Sequence, residues 1–565
     1  MTNATLQPAR LTVRAMPRAL WTRRFEIRSE LHFALGVSFI WLLLYNTAFW
    51  QHATEAMWRP NLHAAAFVGS LALVVLLLQA VLLLLFPTRT LLKLAASLLF
   101  PIAAASAWFC DSYSVVMNQD MMRNLLQTDR GEVSALLNPN LLLHIAVLGV
   151  LPAMLVWRVQ LPAVSAARML KQRLAFIVGA LVTCVACIFA LSSSYAVFLR
   201  EHKPVRYMIM PTAPVTSLIG LATKGKGRGH VPLIDMTGNV QRVAVVKPRP
   251  IVLFLVIGET ARAANFQLGG YSRPTNRELV GVANLVYYPS TTSCGTATAV
   301  SVPCMFSHLP RDQFKVSQAD RYTNLLDVLQ KGGYDVEWRE NNAGCKGVCA
   351  RVTTVNYHSD ELAKGCENNE CADEVMLKDL DVRLQNIVRD TVIVFHTMGS
   401  HGPAYSQRYP PQFEIFKPAC HSNQLQRCTS EEVRNAYDNT IAYTSHVLRK
   451  QIAILSNAAT VDAALIYVSD HGESLGEQGV YLHGLPYAFA PREQTHVPLL
   501  FWTSPAYASR TNLRMNCVAE GAGVAASHDN LYHTVLGVTE LRNDHYQAGL
   551  DLLSSCRFGN DAGHE

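Results

Sequence analysis

The stretch "IVLFLVIGETARA" (residues 251–263) decides the fold of the larger, C-terminal part of this 565-residue chain. Seven consecutive apolar residues end at Ile257 and are followed at once by Gly258 and Glu259. A short, continuous apolar run rich in branched side chains is typical of a strand buried on both faces, as in a parallel sheet covered by helices. Because the carboxyl ends of such strands open into the ligand crevice, Glu259 is a candidate site residue.

Further runs of strand length follow residue 249 and alternate with helical patterns, which predicts an α/β domain. The candidate strands are residues 251–257, 335–338, 391–396, 463–469 and 497–502. The segment 430–457 has the clearest helical pattern.

Acidic and imidazole side chains follow three of these strands. Besides Glu259, they are His396 and His401 after one strand, and Asp470, His471 and Glu473 after another, with His483 further on. One such residue alone is more often a helix cap or a surface group, but the recurrence at three strand ends favours a common site. Carboxylate oxygens and imidazole nitrogens together suit a divalent cation, for which zinc is the usual choice.

The stretch "STTSCGTATAVSVPC" (residues 290–304) places several hydroxyls between two cysteines. An ordinary disulfide-closed loop is one interpretation. The other is a nucleophile held still beside a metal, because metal coordination lowers the pKa of an otherwise unreactive hydroxyl. The spacing leaves Ser293, Thr296, Thr298 and Ser301 as alternatives.

The first 200 residues contain five apolar runs long enough to cross a bilayer. They are Leu31–Trp50, His63–Phe86, Leu91–Cys110, Leu141–Trp157 and Leu174–Val197. The alternative, buried helices of a large soluble protein, fits such long runs poorly. We therefore predict four regions: a cytoplasmic tail (1–30), a five-helix α transmembrane domain (31–197), a membrane-surface linker (198–248) and a catalytic α/β domain (249–565).

Basic residues set the predicted orientation. The N-terminal tail, the turn near Arg89 and Lys93, and the loop containing Arg158 and Arg173 are basic and should face the cytoplasm. An odd number of spans then places the chain after about residue 197 outside the cytoplasm. The net charge of +7 is spread along the chain, which argues against a nucleic-acid partner.

Cysteine usage agrees with an oxidising compartment such as the bacterial periplasm. Ten of the thirteen cysteines follow residue 290, and eight form close pairs. The predicted disulfides are Cys294–Cys304, Cys345–Cys349, Cys366–Cys371 and Cys420–Cys428. A zinc site made of Cys345, Cys349, Cys366 and Cys371 is the alternative.

Six motifs in order carry a family resemblance. They are "VLFLVIGETARA", "SCGTATAVSVPCMFS", "HTMGSHGPAY", "YDNTIAYT", "SDHGESLGE" and "YLHGLPYAFAP". Together they resemble the lipid A phosphoethanolamine transferases, which include the mobile colistin-resistance enzymes and belong to the alkaline phosphatase-like superfamily. The resemblance extends over nearly the whole chain. It implies a multi-pass protein of the bacterial inner membrane with an alkaline phosphatase/sulfatase-like α/β domain in the periplasm.

The resemblance also implies roles for individual residues. The nucleophile corresponds to Thr298, and the zinc ligands correspond to Glu259, Asp470 and His471, with Thr298 completing the site. Residues near the phosphoryl group or head group correspond to His401, His483, Glu473, Asn342 and Lys346. The stretch "RNLLQTDRGE" matches a lipid-binding pattern through Asn124, Thr128 and Glu132, which would share one helical face.

The implied reaction transfers phosphoethanolamine from phosphatidylethanolamine to a lipid A phosphate through a threonine-linked intermediate, and it implies resistance to polymyxins. A transferase acting on lipopolysaccharide core sugars is the nearest alternative. The paired cysteines count against a lipoteichoic-acid type phosphoglycerol transferase, and "CGTAT" lacks the Pro and Arg of a sulfatase motif. A transporter or inactive sensor is disfavoured because the spans contain few charges and every site residue is present.

Overall fold

The structure, a computed structural model, forms two compact units. It describes residues 24–57, 61–128, 133, 136–225, 233–243, 249–357, 366 and 371–557. The first unit comprises Met1–Ala107 and Leu143–Lys203, and the second comprises Trp108–Leu142 and Pro204–Glu565. The loop after the third predicted span therefore belongs to the same unit as the predicted catalytic domain. Most of the predicted cytoplasmic tail lies outside the described residues.

The described N-terminal helices include four that are long and apolar enough to cross a membrane. These are Leu62–Leu84, Arg89–Tyr113, Pro139–Val156 (which includes a π-helical turn at Ile145–Val150) and Ala166–Ala190. The pair Glu30–Leu44 and Thr47–Met57, bent by 70°, makes five if it is counted as one span. The helix Ser192–Glu201 follows. These helices agree with the predicted α transmembrane domain.

Two predicted spans are interrupted. The first breaks after Leu44, where the Asn46 side chain donates a 2.8 Å hydrogen bond to the carbonyl of Trp41. Such a side-chain bond competes with continued helix. The last span begins earlier than predicted and leaves helical geometry at Leu191, before the run of serines that starts at Ser192.

Basic segments meet at one end of the first unit. The buried carboxylate of Glu30 accepts from Nε of Arg89 at 2.9 Å and from Nε of Arg173 at 2.8 Å. The short strand Phe25–Glu26 pairs with Val159–Gln160. Within the described residues, the end of the N-terminal tail therefore lies beside the other two basic segments, as the predicted orientation requires.

The second unit is built on an eight-stranded sheet. Its strands are β1 (Ile251–Gly258), β2 (Leu285–Thr292), β3 (Asp335–Glu340), β4 (Thr353–Asn356), β5 (Thr391–His396), β6 (Asp462–Ser469), β7 (His496–Thr503) and β8 (Ala526–Ser527). The order across the sheet is β8-β2-β7-β6-β1-β5-β3-β4. All five strands predicted from apolar runs are confirmed.

The expectation of a purely parallel sheet is wrong at β7, which runs antiparallel to both β6 and β2. An antiparallel neighbour needs no long crossover helix, and only the short helix Arg492–Thr495 precedes β7. The sequence predicts five of the eight strands and misses β2, β4 and β8. Of these, β2 alternates in burial and contains Pro289, so it lacks the continuous apolar run of β1, β5, β6 and β7.

Helices cover both faces of the sheet. Along β1, Leu253 and Leu255 pack into one apolar cluster, and Phe254 and Val256 into another. The helices of this unit are Gln119–Gln127, Thr212–Gly225, Thr298–Met305, Leu325–Lys331, Leu380–Gln385, Ser430–Asn457, Arg492–Thr495, Pro505–Thr511, Met515–Gly521 and Asp529–Val538. Two small ladders pair Ser474–Leu475 with Tyr481–Leu482, and Gln241–Arg242 with Leu541–Arg542. Burial on both faces explains the continuous apolar run of β1.

Part of the predicted linker is folded. The helix Thr212–Gly225 packs beside Gln119–Gln127, and Ser217 Oγ donates to the carbonyl of Met117 at 2.7 Å. Its location on the membrane surface stays a prediction. Residues 226–232 and 244–248 of the linker lie outside the described part.

The ten cysteines that follow residue 290 are all paired, whereas Cys110, which also belongs to the second unit, is free. Disulfides join Cys294–Cys304, Cys345–Cys349, Cys366–Cys371, Cys420–Cys428 and Cys517–Cys556. The four cysteines of the alternative zinc site are thus bonded to one another and offer no thiolates.

The fully buried β1 strand should dominate the stability of the second unit. Val252→Ala removes two methyl groups from a side chain with 0% exposure, and we expect a loss of about 2 kcal/mol. Val388→Ala, at a residue 87% exposed, is the matched control and should cost almost nothing. Thermal unfolding of the full-length protein in detergent should show a lower midpoint for Val252→Ala only. Equal midpoints would contradict the packing described.

Candidate active site

Three neighbouring strands deliver the predicted polar residues to one edge of the sheet. In the order β6-β1-β5, Asp470 follows β6, Glu259 follows β1, and His396 ends β5. All three side chains have 0% exposure. The structure therefore brings these residues together as the sequence predicts.

Four potential metal donors converge at this edge. Nε2 of His471 lies 3.3 Å from Oε1 of Glu259 and 3.4 Å from Oδ2 of Asp470. One ligand atom from each of these three residues lies within 4.8 Å of the others. Oγ1 of Thr298 lies 3.0 Å from Oε2 of Glu259 and 3.3 Å from Nε2 of His471. Two carboxylates, an imidazole and a hydroxyl make a donor set suited to a divalent metal.

The charge balance of the cluster favours a cation. Burial raises the pKa of Asp470, the negative charge of Glu259 adds to this, and the pKa reaches about 7. Burial also raises the pKa of Glu259, but the hydrogen bond and charge of His471 outweigh it and hold that pKa well below its usual range. Burial lowers the pKa of His471, whereas the charges of Asp470 and Glu259 raise it to about 10. The carboxylates thus depend on a nearby positive charge, which a divalent cation supplies.

Two details of hydrogen bonding fit the same conclusion. Among the described residues, Oδ2 of Asp470 is buried and receives no hydrogen bond. Nδ1 of His471 lies 2.9 Å from the carbonyl of Gly472, which can only accept. Nδ1 therefore carries a proton, and in the neutral imidazole, the form that binds a metal, the Nε2 lone pair points to the donor cluster.

The four alternative hydroxyls differ in their surroundings. Ser293 Oγ donates to the carbonyl of Gly295, and Thr296 Oγ1 donates to the carbonyl of Leu485. Ser301 Oγ is buried and has no hydrogen-bond partner among the described residues. Of the four, Thr298 alone contacts the metal-donor cluster.

Local structure fixes Thr298. It is the first residue of the helix Thr298–Met305, whose N-terminal end carries a positive partial charge that favours an anion. The Cys294–Cys304 disulfide ties the preceding loop to the far end of this helix. His528 Nδ1 accepts the backbone N–H of Cys294 at 3.0 Å. The two cysteines that flank the threonine-rich stretch in the sequence thus form a rigid support for Thr298.

His483 and Glu473 form a hydrogen-bonded pair beside the cluster. Nδ1 of His483 lies 2.8 Å from Oε2 of Glu473, and the His483 ring centroid lies 4.3 Å from that of His471. Burial, with the charge of His471, lowers the pKa of His483. A neutral His483 that donates through Nδ1 keeps Nε2 as a proton acceptor. The His401 ring lies 5.6 Å away.

Tyr405 is a site residue that sequence reasoning missed. Its hydroxyl donates to Oε1 of Glu473 at 2.7 Å, so Glu473 is held from both sides. The tyrosine belongs to the quoted motif "HTMGSHGPAY", but a single tyrosine after a strand gives no signal of this contact.

Asn342 contacts the cluster directly, whereas Lys346 is bonded to the residue that follows Asn342. Nδ2 of Asn342 donates to Oε2 of Glu259 at 2.8 Å and to the carbonyl of Thr397 at 2.8 Å. Nζ of Lys346 donates to the carbonyl of Ala343 at 2.7 Å. Asn342 therefore supports a metal-donor carboxylate, and substrate contacts by both residues stay predictions.

The buried ion pair of Glu340 and His396 lies behind Asn342. Nδ1 of His396 is 2.9 Å from Oε1 of Glu340, which also accepts the backbone N–H of Asn342. His396, a possible ligand by position, is thus held by Glu340 at its Nδ1 atom. A glutamate within a buried strand is the sequence signal that could have revealed this pair.

The predicted helical face through Asn124, Thr128 and Glu132 is wrong in one respect. The helix Gln119–Gln127 ends before Thr128, whose backbone is extended and whose hydroxyl donates to the carbonyl of Asn124 at 2.9 Å. This side-chain hydrogen bond competes with the backbone hydrogen bond that would continue the helix. Glu132 lies outside the described residues. Lipid contacts by these residues stay a prediction.

Comparisons with known proteins agree over both units. Residues 252–541 match the sequence model described as sulfatase, and residues 74–225 match that described as phosphoethanolamine transferase EptA/EptB. The chain is 38% identical to phosphoethanolamine transferase EptA of Escherichia coli K12 over 92% of this chain and 96% of that protein. It is 39% identical to phosphatidylethanolamine transferase Mcr-1 of Escherichia coli over 78% of this chain and 82% of that protein.

A solved structure matches as well. The integral membrane lipooligosaccharide phosphoethanolamine transferase A of Neisseria meningitidis superposes with a TM-score of 0.90 at 33% identity. The match covers 94% of this chain and 99% of that protein.

Loss of one donor should weaken metal binding. Asp470→Asn removes a carboxylate charge from the cluster, and we expect at least about 100-fold weaker binding of Zn²⁺, used as the probe. Asp381→Asn, at an exposed position, is the control and should bind normally. Metal content of the purified full-length protein, measured by plasma mass spectrometry after dialysis, checks this. An Asp470→Asn protein that retains one equivalent would contradict the site.

Proposed function

The chain belongs to the lipid A phosphoethanolamine transferase family, and from that premise we propose that it transfers phosphoethanolamine from phosphatidylethanolamine to a phosphate of lipid A. The observation that supports this most is the position of Thr298, whose hydroxyl contacts Glu259 and His471. A hydroxyl at a helix N-terminus and inside a metal-donor cluster suits nucleophilic attack on phosphorus.

Zinc is the cofactor that we propose for this site. Glu259, Asp470 and His471 would hold it, with the Thr298 oxygen as the fourth donor, because mixed carboxylate and imidazole donors in a set of four are typical of zinc. When bound, zinc lowers the pKa of a neighbouring hydroxyl and offsets negative charge on phosphoryl oxygens.

In the first half-reaction, Oγ1 of Thr298 attacks the phosphorus of phosphatidylethanolamine. The new bond joins this oxygen to phosphorus, and the bond from phosphorus to the glycerol oxygen breaks. The Thr298 hydroxyl loses its proton as it attacks, His401 or His483 can carry that proton to the departing glycerol oxygen, and diacylglycerol leaves. Phosphoethanolamine is then attached to Thr298.

In the second half-reaction, a phosphate oxygen of lipid A attacks the same phosphorus. The bond between phosphorus and Oγ1 of Thr298 breaks, and the threonine oxygen regains a proton. Glu473 keeps the Nδ1 proton of His483 in place, so Nε2 of His483 can take the proton that the acceptor phosphate loses.

The setting of the enzyme suits these substrates. It is a multi-pass protein of the bacterial inner membrane, with its C-terminal domain in the periplasm. Its membrane helices keep it in the bilayer that contains both lipids. The product gains an ammonium group that offsets a phosphate charge, so we propose that polymyxins and other cationic peptides bind the modified lipid less well.

Lipid A mass spectrometry tests this function. A polymyxin-sensitive Gram-negative strain that expresses the chain should gain phosphoethanolamine on lipid A, and Thr298→Ala should abolish the gain. Ser301→Ala is the matched control, because it removes from the same helix a hydroxyl that has no hydrogen-bond partner in the described part of the chain, and it should retain the gain. Unmodified lipid A with a modified core oligosaccharide would contradict the acceptor and favour the core-sugar alternative. Activity retained by Thr298→Ala would contradict the nucleophile.

The pair of Glu473 and His483 should matter for rate. Glu473→Gln removes the negative charge that orients His483, and we expect kcat to fall about tenfold to 100-fold, within the contribution of general acid–base catalysis. Tyr405→Phe removes only one hydrogen bond to Glu473 and should lower kcat by several-fold at most. Steady-state transfer by full-length enzyme in detergent measures both. An unchanged kcat for Glu473→Gln would exclude this role.

A further inference from the structure

A cavity of about 200 Å³ lies beside the nucleophile loop, within the second unit. Gly295, Thr296 and Ala297 form one wall, and Arg311 and Tyr487 form part of another. One ordered water needs about 10–15 Å³, so the cavity has room for a substrate group. Ala297 immediately precedes Thr298 in the chain, so the cavity borders the loop that leads into the nucleophile.

Hydrogen bonds fasten the walls of this cavity to each other. The Tyr487 hydroxyl donates to the carbonyl of Ser293 at 2.8 Å. Thr296 Oγ1 donates to the carbonyl of Leu485 at 2.6 Å, and the backbone N–H of Gly484 donates to the carbonyl of Thr296 at 2.8 Å. Tyr487 is therefore fixed relative to the loop that precedes Thr298.

Arg311 presents a positive charge on this support. Its guanidinium carbon lies 3.4 Å from the centroid of the Tyr487 ring, and the residue is exposed. Within the described part of the chain, no carboxylate lies within salt-bridge distance of this guanidinium. Asp529 accepts the backbone N–H of Arg311, and its charge interacts with that of Arg311 without forming an ion pair. Asp120 also lines the cavity, but Nη1 of Arg123 lies 2.7 Å from its carboxylate and offsets its charge.

We propose that Arg311, stacked on Tyr487, binds a phosphate group of the acceptor lipid. A guanidinium matches phosphate oxygens through two parallel hydrogen bonds, and stacking on an aromatic ring fixes its plane. This inference rests on the proposed function, in which the donor phosphate occupies the position next to Thr298 and the metal donors. A second cation beside the loop then serves the second phosphate-bearing substrate.

The remaining walls fit an amphiphile. Val300, Phe314 and Val316 add apolar surface to the lining of the same cavity. A lipid whose phosphate contacts Arg311 can therefore lay apolar atoms against these residues. Arg311 would act on the second half-reaction and leave the first unchanged.

The two half-reactions can be measured separately with the full-length enzyme in detergent. Fluorescent phosphatidylethanolamine without acceptor reports the first through a single burst of labelled diacylglycerol. Added lipid A then reports the second through its KM and kcat. We expect Arg311→Ala to keep the burst within about twofold of wild type and to lower kcat/KM for lipid A at least about tenfold, mainly through KM. The kcat/KM of Arg311→Lys for lipid A should lie between those of wild type and Arg311→Ala, because lysine keeps the charge without the planar stacking.

Arg277→Ala is the matched control, because Arg277 is exposed and does not line this cavity, and it should behave as wild type. Equal losses in both half-reactions would assign Arg311 to the donor phosphate or to folding and would overturn the proposal. Unchanged kcat/KM for lipid A would also overturn it. A wild-type enzyme that gives no burst would contradict the proposed function instead.

Binding of lipid A without turnover tests the Arg311 platform, which is the Arg311 guanidinium stacked on the Tyr487 ring, independently of catalysis. Lipid A binding to Thr298→Ala should weaken at least about tenfold when Arg311→Ala is added, as measured by thermophoresis. Inorganic phosphate alone should compete with lipid A for Thr298→Ala only weakly, because it lacks the apolar contacts. Lipid A affinity unchanged by Arg311→Ala, or phosphate that competes as well as lipid A, would overturn the proposal.

Discussion

The structure depends on two carboxylates, Glu259 and Asp470, that are fully buried at the carboxyl ends of two central strands of the sheet. Removing such charges from water is costly unless a positive charge compensates them. A protonated His471 supplies that charge when no metal is bound, and a divalent cation held by the neutral imidazole would supply it instead. Adjacent parallel strands β6 and β1 make the arrangement possible, because their carboxyl ends lie side by side. The apolar strands therefore serve to hold polar groups where water cannot reach them.

The surroundings of this cluster are built to limit movement. Asn342 contacts Glu259, Glu340 supports Asn342, and a disulfide supports the helix that begins at Thr298. Preorganised groups need no reorganisation as charge develops on a reacting phosphate, which is where most electrostatic catalysis originates. The proposed Arg311 platform extends the same logic, since its cation is fixed by an aromatic ring fastened to the nucleophile loop.

Sequence patterns anticipated the parts of this fold that follow from local chemistry. Continuous apolar runs located five strands, and the residues directly after them gave Glu259, Asp470 and His471. The antiparallel direction of β7 and the contact of Tyr405 with Glu473 depend on how distant segments meet, which no local pattern encodes. Thr298 could be separated from the neighbouring hydroxyls only by resemblance, whereas in the structure its contacts distinguish it.

The most direct test of the central claim is peptide mass spectrometry of the full-length enzyme after incubation with phosphatidylethanolamine and no acceptor. We expect a phosphoethanolamine group on the peptide closed by Cys294 and Cys304, located by fragmentation at Thr298. The adduct should disappear when lipid A is added. An adduct on Thr296 or Ser301, or release of diacylglycerol without any adduct, would contradict a nucleophile held by the buried carboxylate and imidazole cluster.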